Sequence, residues 1–195
     1  GIKCPYAMTP QFVVIHNTAN DASAEDEIAY MRSNDKEVSF HYAVDDKEIV
    51  QGIEENRNAW HAGDGGSGQG NRYGIAIEIC YSECGGDRFI KAERNAAELA
   101  ASILKRYGWG TDKIKKHQDF SGKYCPHRTL DMGWERFVDM VDGFLHPASS
   151  GGDGTYTVQK GDSFWGIAAS QMGDGTKYKE LAAYNGMEPD DTIYA

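Results

Sequence analysis

The chain has 195 residues, a formal net charge of -10, 40% hydrophobic residues and 26% charged ones. Such values suit a water-soluble globular protein with one well-buried domain and a small second one, and no apolar run reaches the length of a membrane span. The negative balance argues against nucleic acid as a partner, because neutralising phosphates needs a basic surface.

Four cysteines, Cys4, Cys80, Cys84 and Cys125, are too few and too unevenly spaced for a disulfide framework, so free thiols in a reducing compartment are expected. The start, Gly-Ile-Lys-Cys-Pro-Tyr, has no basic segment leading into an apolar stretch, so a secretion signal is not expected within these residues.

Phe12-Val-Val-Ile-His16 is a β-branched apolar run, which predicts a strand buried on both faces and ending in a histidine. Open α/β sheets place their sites at that end of a strand. Ser23, with Asp26 three residues later, predicts a helix start, and Ile28 and Met31 are its expected core contacts. Ser39–Val44 and Glu48–Gln51 flank the turn-forming Asp45-Asp46-Lys47 and read as a hairpin. Alternation sends Phe40, Tyr42 and Val44 to one side and Ser39, His41 and Ala43 to the other.

The Gly-rich segment 63–74 reads as a loop, and a long loop just before a strand is often functional. In the strand predicted over 73–81, Ile75, Ile77 and Ile79 share one face, while Ala76, Glu78 and Cys80 share the other. Phe89, Ala92, Ala96, Leu99, Ile103 and Tyr107 then recur at helical spacing until Gly108. Trp134, Phe137, Val138, Val141 and Leu145 mark another helix. The expected fold class is therefore α/β, with a mixed central sheet flanked by helices.

Residues 146–154, His-Pro-Ala-Ser-Ser-Gly-Gly-Asp-Gly, break the composition, so a flexible linker is expected between a domain over 1–145 and a module over 155–195. The module should hold a short strand at 155–158 and helices over 164–171 and 177–185.

Chemistry concentrates between His117 and Cys125, which place an imidazole and a thiol at the two ends of a short polar segment. Zinc prefers both ligand types, and a hydrolytic site needs three protein ligands and one open position. His16 can supply the third ligand. Taken singly, each has an ordinary reading: a satisfied core histidine, a surface histidine and a small buried hydrophobe. Glu78 strengthens the metal reading, because a carboxylate in an apolar strand needs a partner, and water held at a metal would give it one while it acts as base. Lys123 lies two residues before Cys125, so in extended chain both project to one side and its ammonium could face an oxyanion.

The blocks Val-Val-Ile-His16-Asn-Thr, Ser-Phe-His41-Tyr-Ala-Val, Trp60-His61-Ala-Gly, Asn-Arg-Tyr-Gly-Ile-Ala-Ile-Glu78 and His117 through Cys125-Pro126 resemble the zinc-dependent N-acetylmuramoyl-L-alanine amidases. These include many bacteriophage endolysins and share a fold with the peptidoglycan recognition proteins. The resemblance implies zinc held by His16, His117 and Cys125, Glu78 as acid/base, Lys123 steadying the tetrahedral intermediate, and Trp60, His61 and the strand position His41 along the substrate groove. His127 is a rival ligand, but the family pattern favours Cys125. The implied reaction cuts the amide between N-acetylmuramic acid and the L-alanine of the stem peptide. A non-catalytic muropeptide-binding protein and a zinc endopeptidase of the stem peptide are the alternatives.

Residues 155–195, with Tyr-Thr-Val-Gln-Lys-Gly-Asp-Ser-Phe-Trp-Gly-Ile-Ala and Leu-Ala-Ala-Tyr-Asn-Gly, resemble a LysM module, a small α+β unit that recognises N-acetylglucosamine-containing glycans. The pattern stops before the closing strand, so a loose, weakly binding module is expected. Together the resemblances imply peptidoglycan glycan and stem peptide as partners, a monomer without nucleic-acid or membrane partners, and an endolysin held in the host cytoplasm until it reaches the wall, with secretion to the cell wall as the alternative.

Overall fold

The computed structural model describes residues 1–147 and 156–194. The expected linker lies outside the described residues from 148 onwards, as do Thr155 and Ala195. A five-stranded mixed sheet is built from β1 (Phe12–Asn17), β2 (Tyr42–Val44), β3 (Ile49–Gln51), β4 (Gly74–Ile79) and β5 (Ile114–Lys116), in the order β3-β2-β4-β1-β5. β2, β4, β1 and β5 run parallel, and β3 returns antiparallel to β2. All six residues of β1 are buried, as its β-branched run predicts for a strand covered on both faces.

Register places the site. His16 of β1 lies opposite Glu78 of β4, which in turn lies opposite Ala43 of β2. Partners in a parallel ladder point the same way, so the imidazole and the carboxylate leave one face at the C-terminal edge. Val13, Ile15, Ile75, Ile77 and Ile79 alternate with them and enter the core. That core is closed by α3 (Gly86–Tyr107), which packs on β4, β2 and β1 through Phe89 and the small Ala92, Ala96 and Ala100. α6 (Trp134–Leu145) packs on α3, and Arg136 reaches the buried Glu93 at 2.6 Å. α3 ends where Gly108 takes the left-handed conformation, φ 68°.

The predicted start of α1 (Ala24–Ser33) is present: Ser23 Oγ accepts from the Asp26 N–H at 3.2 Å, and Ile28 and Met31 are buried. Buried Asp45 accepts from Ala24, Lys47 and Glu48 backbone N–H groups, which ties the hairpin turn to the helix.

Several elements differ from expectation. The Gly-rich segment contains a short helix, α2 (Gln69–Tyr73), because the Asp64 carboxylate accepts the N–H groups of Gly70 and Asn71 at 2.6 and 3.2 Å. Strand β5 carries a single apolar residue, Ile114, and escapes a hydrophobic-pattern search. α4 (Gln118–Ser121) and α5 (His127–Asp131) interrupt what reads as loop.

In the C-terminal unit, α7 (Phe164–Met172) and α8 (Tyr178–Tyr184) form, but residues 156–159 carry no strand. Tyr156 and Gln159 instead turn back to bond the Asp162 carboxylate. α7 packs against α6, with Trp165 beside the Arg136 guanidinium and the Gly173 carbonyl accepting from Arg94. The two units therefore touch in this structure. No helix among the described residues is long and apolar enough to cross a membrane.

Candidate metal centre and cleft

Three chain segments converge at the C-terminal edge of the sheet. β1 delivers His16, and β5 pairs beside it so that His117, the next residue, arrives at the same edge and donates its N–H to the Ile15 carbonyl at 3.3 Å. Cys125 returns to this point because α4 reverses at Gly122, φ 74°, and the Cys125 carbonyl accepts the Gln118 N–H at 3.0 Å. Asn17, adjacent to His16, locks the following helix to β1: its Oδ1 accepts from Arg128 and Thr129 at 2.9 and 3.3 Å.

His16, His117 and Cys125 are all buried, and one ligand atom of each lies within 4.8 Å of the others. His16 Nδ1 is 3.1 Å from His117 Nδ1 and 3.9 Å from Cys125 Sγ. A tetrahedral zinc with its usual bond lengths separates two nitrogens by about 3.4 Å and a nitrogen from a sulfur by about 3.6 Å. The two sides of the triangle that meet at His16 are each within about 0.3 Å of those lengths. Its chemistry also fits: burial holds both imidazoles below their ordinary pKa, which keeps them neutral as ligands must be. Burial pushes the Cys125 thiol up to about 11, so a thiolate here needs a cation beside it.

Glu78 lies next to this triangle, with Oε1 4.0 Å from His16 Nδ1 and Oε2 without a partner. Burial, then repulsion from Glu27, raises its pKa to about 8, while the Lys123 charge opposes the shift. Lys123 is exposed on the cleft rim; its charge adds to the effect of burial in lowering the pKa of His16 and His117 and opposes the rise at Cys125. All five residues line a cleft of about 1600 Å³ that continues past Trp60 towards Tyr30 and Lys36 on the α1 side.

The remaining expected groove residues divide. Trp60 lines the cleft, its indole N–H donating to the Ile2 carbonyl at 2.7 Å. His61 also lines it, but is mostly buried, and its Nδ1 lies 2.9 Å from His16 Nε2. His41 is not a groove residue: it has 0% exposure and does not line the cleft. Its Nδ1 accepts the Ala76 N–H and its Nε2 meets the Arg57 carbonyl, both at 2.9 Å. Alternation along the strand does not report that depth. His127, the rival ligand, opens α5 and is not part of the cluster. Cys4, Cys80 and Cys84 are free thiols outside it.

Two residues that support the site were given no role of their own by the sequence. Asn71 Oδ1 accepts the N–H groups of both His61 and Ala62 at 2.8 Å, and Asp64 in turn holds Asn71. An aspartate and an asparagine spaced within a Gly-rich stretch, side chains that bond to backbone in turns, are the signal that could have marked them.

The N-acetylmuramoyl-L-alanine amidase family profile matches residues 6–128, and the LysM domain profile matches residues 156–195. Among curated relatives, the N-acetylmuramoyl-L-alanine amidase XlyB of Bacillus subtilis (strain 168) is 48% identical over 193 residues, covering 95% of this chain and 60% of that protein. The N-acetylmuramoyl-L-alanine amidase CwlA of the same organism is 57% identical over 133 residues, covering 68% and 49%. This chain thus spans about half to three-fifths of their length. The PlyL structure superposes with a TM-score of 0.70 at 52% identity, covering 72% of this chain and 89% of that one. The solution structure of the PlyG catalytic domain gives 0.72 at 50% identity, with 78% and 92% covered.

Proposed function

This chain belongs to the N-acetylmuramoyl-L-alanine amidase family, and on that premise we propose that it is a zinc hydrolase of peptidoglycan that cuts between N-acetylmuramic acid and L-alanine. The observation that carries the reading is the buried His16, His117 and Cys125 triangle, with an unpaired Glu78 carboxylate oxygen beside it on the cleft floor. A muropeptide binder without catalysis has no use for that combination.

Zinc held by these three side chains would polarise the scissile carbonyl and acidify water at neutral pH. Glu78 takes the proton from the attacking water as its oxygen bonds to the lactyl carbonyl carbon. The Lys123 ammonium, on the rim, offsets the charge that develops on the carbonyl oxygen. Glu78 then returns the proton to the alanine nitrogen as the C–N bond breaks, leaving a lactyl carboxylate and a free amine. A carboxyl raised to about 8, with the Lys123 charge already opposing the rise, is suited to the return step, and zinc held beside it would lower it for the first.

We assign residues 1–145 to the catalytic domain and 155–195 to glycan binding, which would hold the cleft near its insoluble substrate. Digestion of purified cell walls tests the reading. New N-terminal alanine without new reducing sugar ends is the expected product. A different new amino terminus would make the chain an endopeptidase, and the absence of any release would make it a binder.

A further inference from the structure

Resting on the zinc reading above, we propose that the segment from Trp60 to Gly63 is the outer shell of the metal centre. His61 Nδ1 would accept the His16 Nε2–H and thereby fix the tautomer that presents His16 Nδ1 to the metal. His61 is thus a positioning residue rather than a substrate contact.

The ring geometry carries this. His16 Nδ1 faces His117 Nδ1 and Cys125 Sγ, so its other nitrogen, Nε2, is the one turned to His61, at 2.9 Å. An imidazole that binds a metal through Nδ1 must carry its proton on Nε2, and that proton needs an acceptor. The usual acceptor is a carbonyl or carboxylate, whose lone pairs are fixed. Here it is another imidazole, and the arrangement works only if the His61 proton sits on the far nitrogen.

The surroundings leave room for that. His61 Nε2 is buried, without a hydrogen bond of good geometry. On this proposal His61 carries its hydrogen on Nε2 and offers the Nδ1 lone pair to His16. The two rings meet nearly edge to face, at 86° with centroids 5.0 Å apart, as an N–H aimed at an in-plane lone pair of the neighbouring ring allows.

The same segment serves the second imidazole. Gly63, at φ 69°, lets the chain close over this point, since a Cβ there would lie 3.2 Å from Ser121 Oγ and 3.6 Å from His117 Nε2. Asn71 holds the His61 and Ala62 N–H groups from behind, so the segment is rigid where it touches both ligands. One tetrapeptide thus bonds to one imidazole and packs closely against the other.

The test is zinc affinity by chelator competition on the full chain, for wild type, His61→Leu and His61→Asn, with nitrogen NMR of the His16 tautomer in the zinc-loaded protein. Leucine removes the acceptor. Asparagine can place its Oδ1 near the position of the histidine Nδ1. His61→Leu is expected to weaken zinc binding about 10- to 100-fold, the range for lost outer-shell partners. His61→Asn is expected to stay within about threefold of wild type by the same principle, and His16 should carry its proton on Nε2. Wild-type zinc affinity in His61→Leu overturns the inference, as do equal losses in the two variants or a proton on His16 Nδ1. If the wild-type protein itself takes up no zinc, the metal centre fails first and this inference falls with it.

Discussion

The cleft edge of the sheet and the frame behind it each bury histidine, and the two regions use it in opposite ways. At the edge, His16 turns one ring nitrogen to His61 and the other to His117 and Cys125, so side chains surround it. Behind it, His41 spends one nitrogen on the Ala76 N–H and the other on the Arg57 carbonyl, so backbone surrounds it. Burial alone does not separate a chemical histidine from a structural one. Partners do, because a ring whose nitrogens are both committed to backbone has no lone pair left for a metal.

The contrast is broken most sharply by changing what each region does best. Cys125→Ser and Glu78→Ala should lower wall hydrolysis by about 10²- to 10⁴-fold or more, while far-UV circular dichroism and the urea midpoint stay close to wild type. Lys123→Ala should cost about 10²- to 10³-fold in turnover, the range for removing one oxyanion donor, with no loss of folded protein. His41→Ala should do the reverse. It removes both a donor and an acceptor from buried backbone groups, so urea unfolding should show about 2–5 kcal/mol less stability, while the folded fraction keeps its zinc affinity.

Acid sharpens the same comparison. Burial lowers the His41 pKa from 6.5 to about 4, against the opposing Arg57 carbonyl and Glu55 charge. Its neighbouring ring, His61, lies 6.3 Å away, centroid to centroid. Below pH 6.5 the unfolded chain takes up a proton that folded His41 refuses, so its contribution is complete above that pH and is lost as pH falls towards 4. The loss should be on the order of 3 kcal/mol. Measured as wild type minus His41→Asn, it is freed from the other buried histidines. An unchanged difference between pH 7 and pH 4 would remove the structural role.

Asn71 joins the two regions, and its effect should be the smallest. Asn71→Ala strips the acceptor from the His61 and Ala62 N–H groups and should cost about 1–3 kcal/mol of stability, measured by urea unfolding. Asn71→Asp, which keeps the acceptor, should retain most of it.

The parts legible in the sequence are those that periodicity or capping writes locally. Phe12–His16, the Ile75, Ile77 and Ile79 face, α3 and α6 are periodic, and Ser23 caps α1 as read. Strand β5 was hidden because only Ile114 is buried in it; its pairing to β1 is a tertiary event. α2 was hidden because its N-terminal groups are satisfied by Asp64, a loop residue beyond the helix itself. The site followed the same rule. His16 and Glu78 could be named from strand ends, and register makes them neighbours. The depth of His41 and the turn of His61 towards His16 depend on which segments fold over them, which no local pattern encodes.

The most direct test of the central claim is X-ray absorption at the zinc edge on the loaded protein. A first shell with one sulfur near 2.3 Å and two imidazole nitrogens near 2.0–2.1 Å, completed by oxygen, is the predicted result. A shell without sulfur would contradict it, since Cys125 would then not be a ligand.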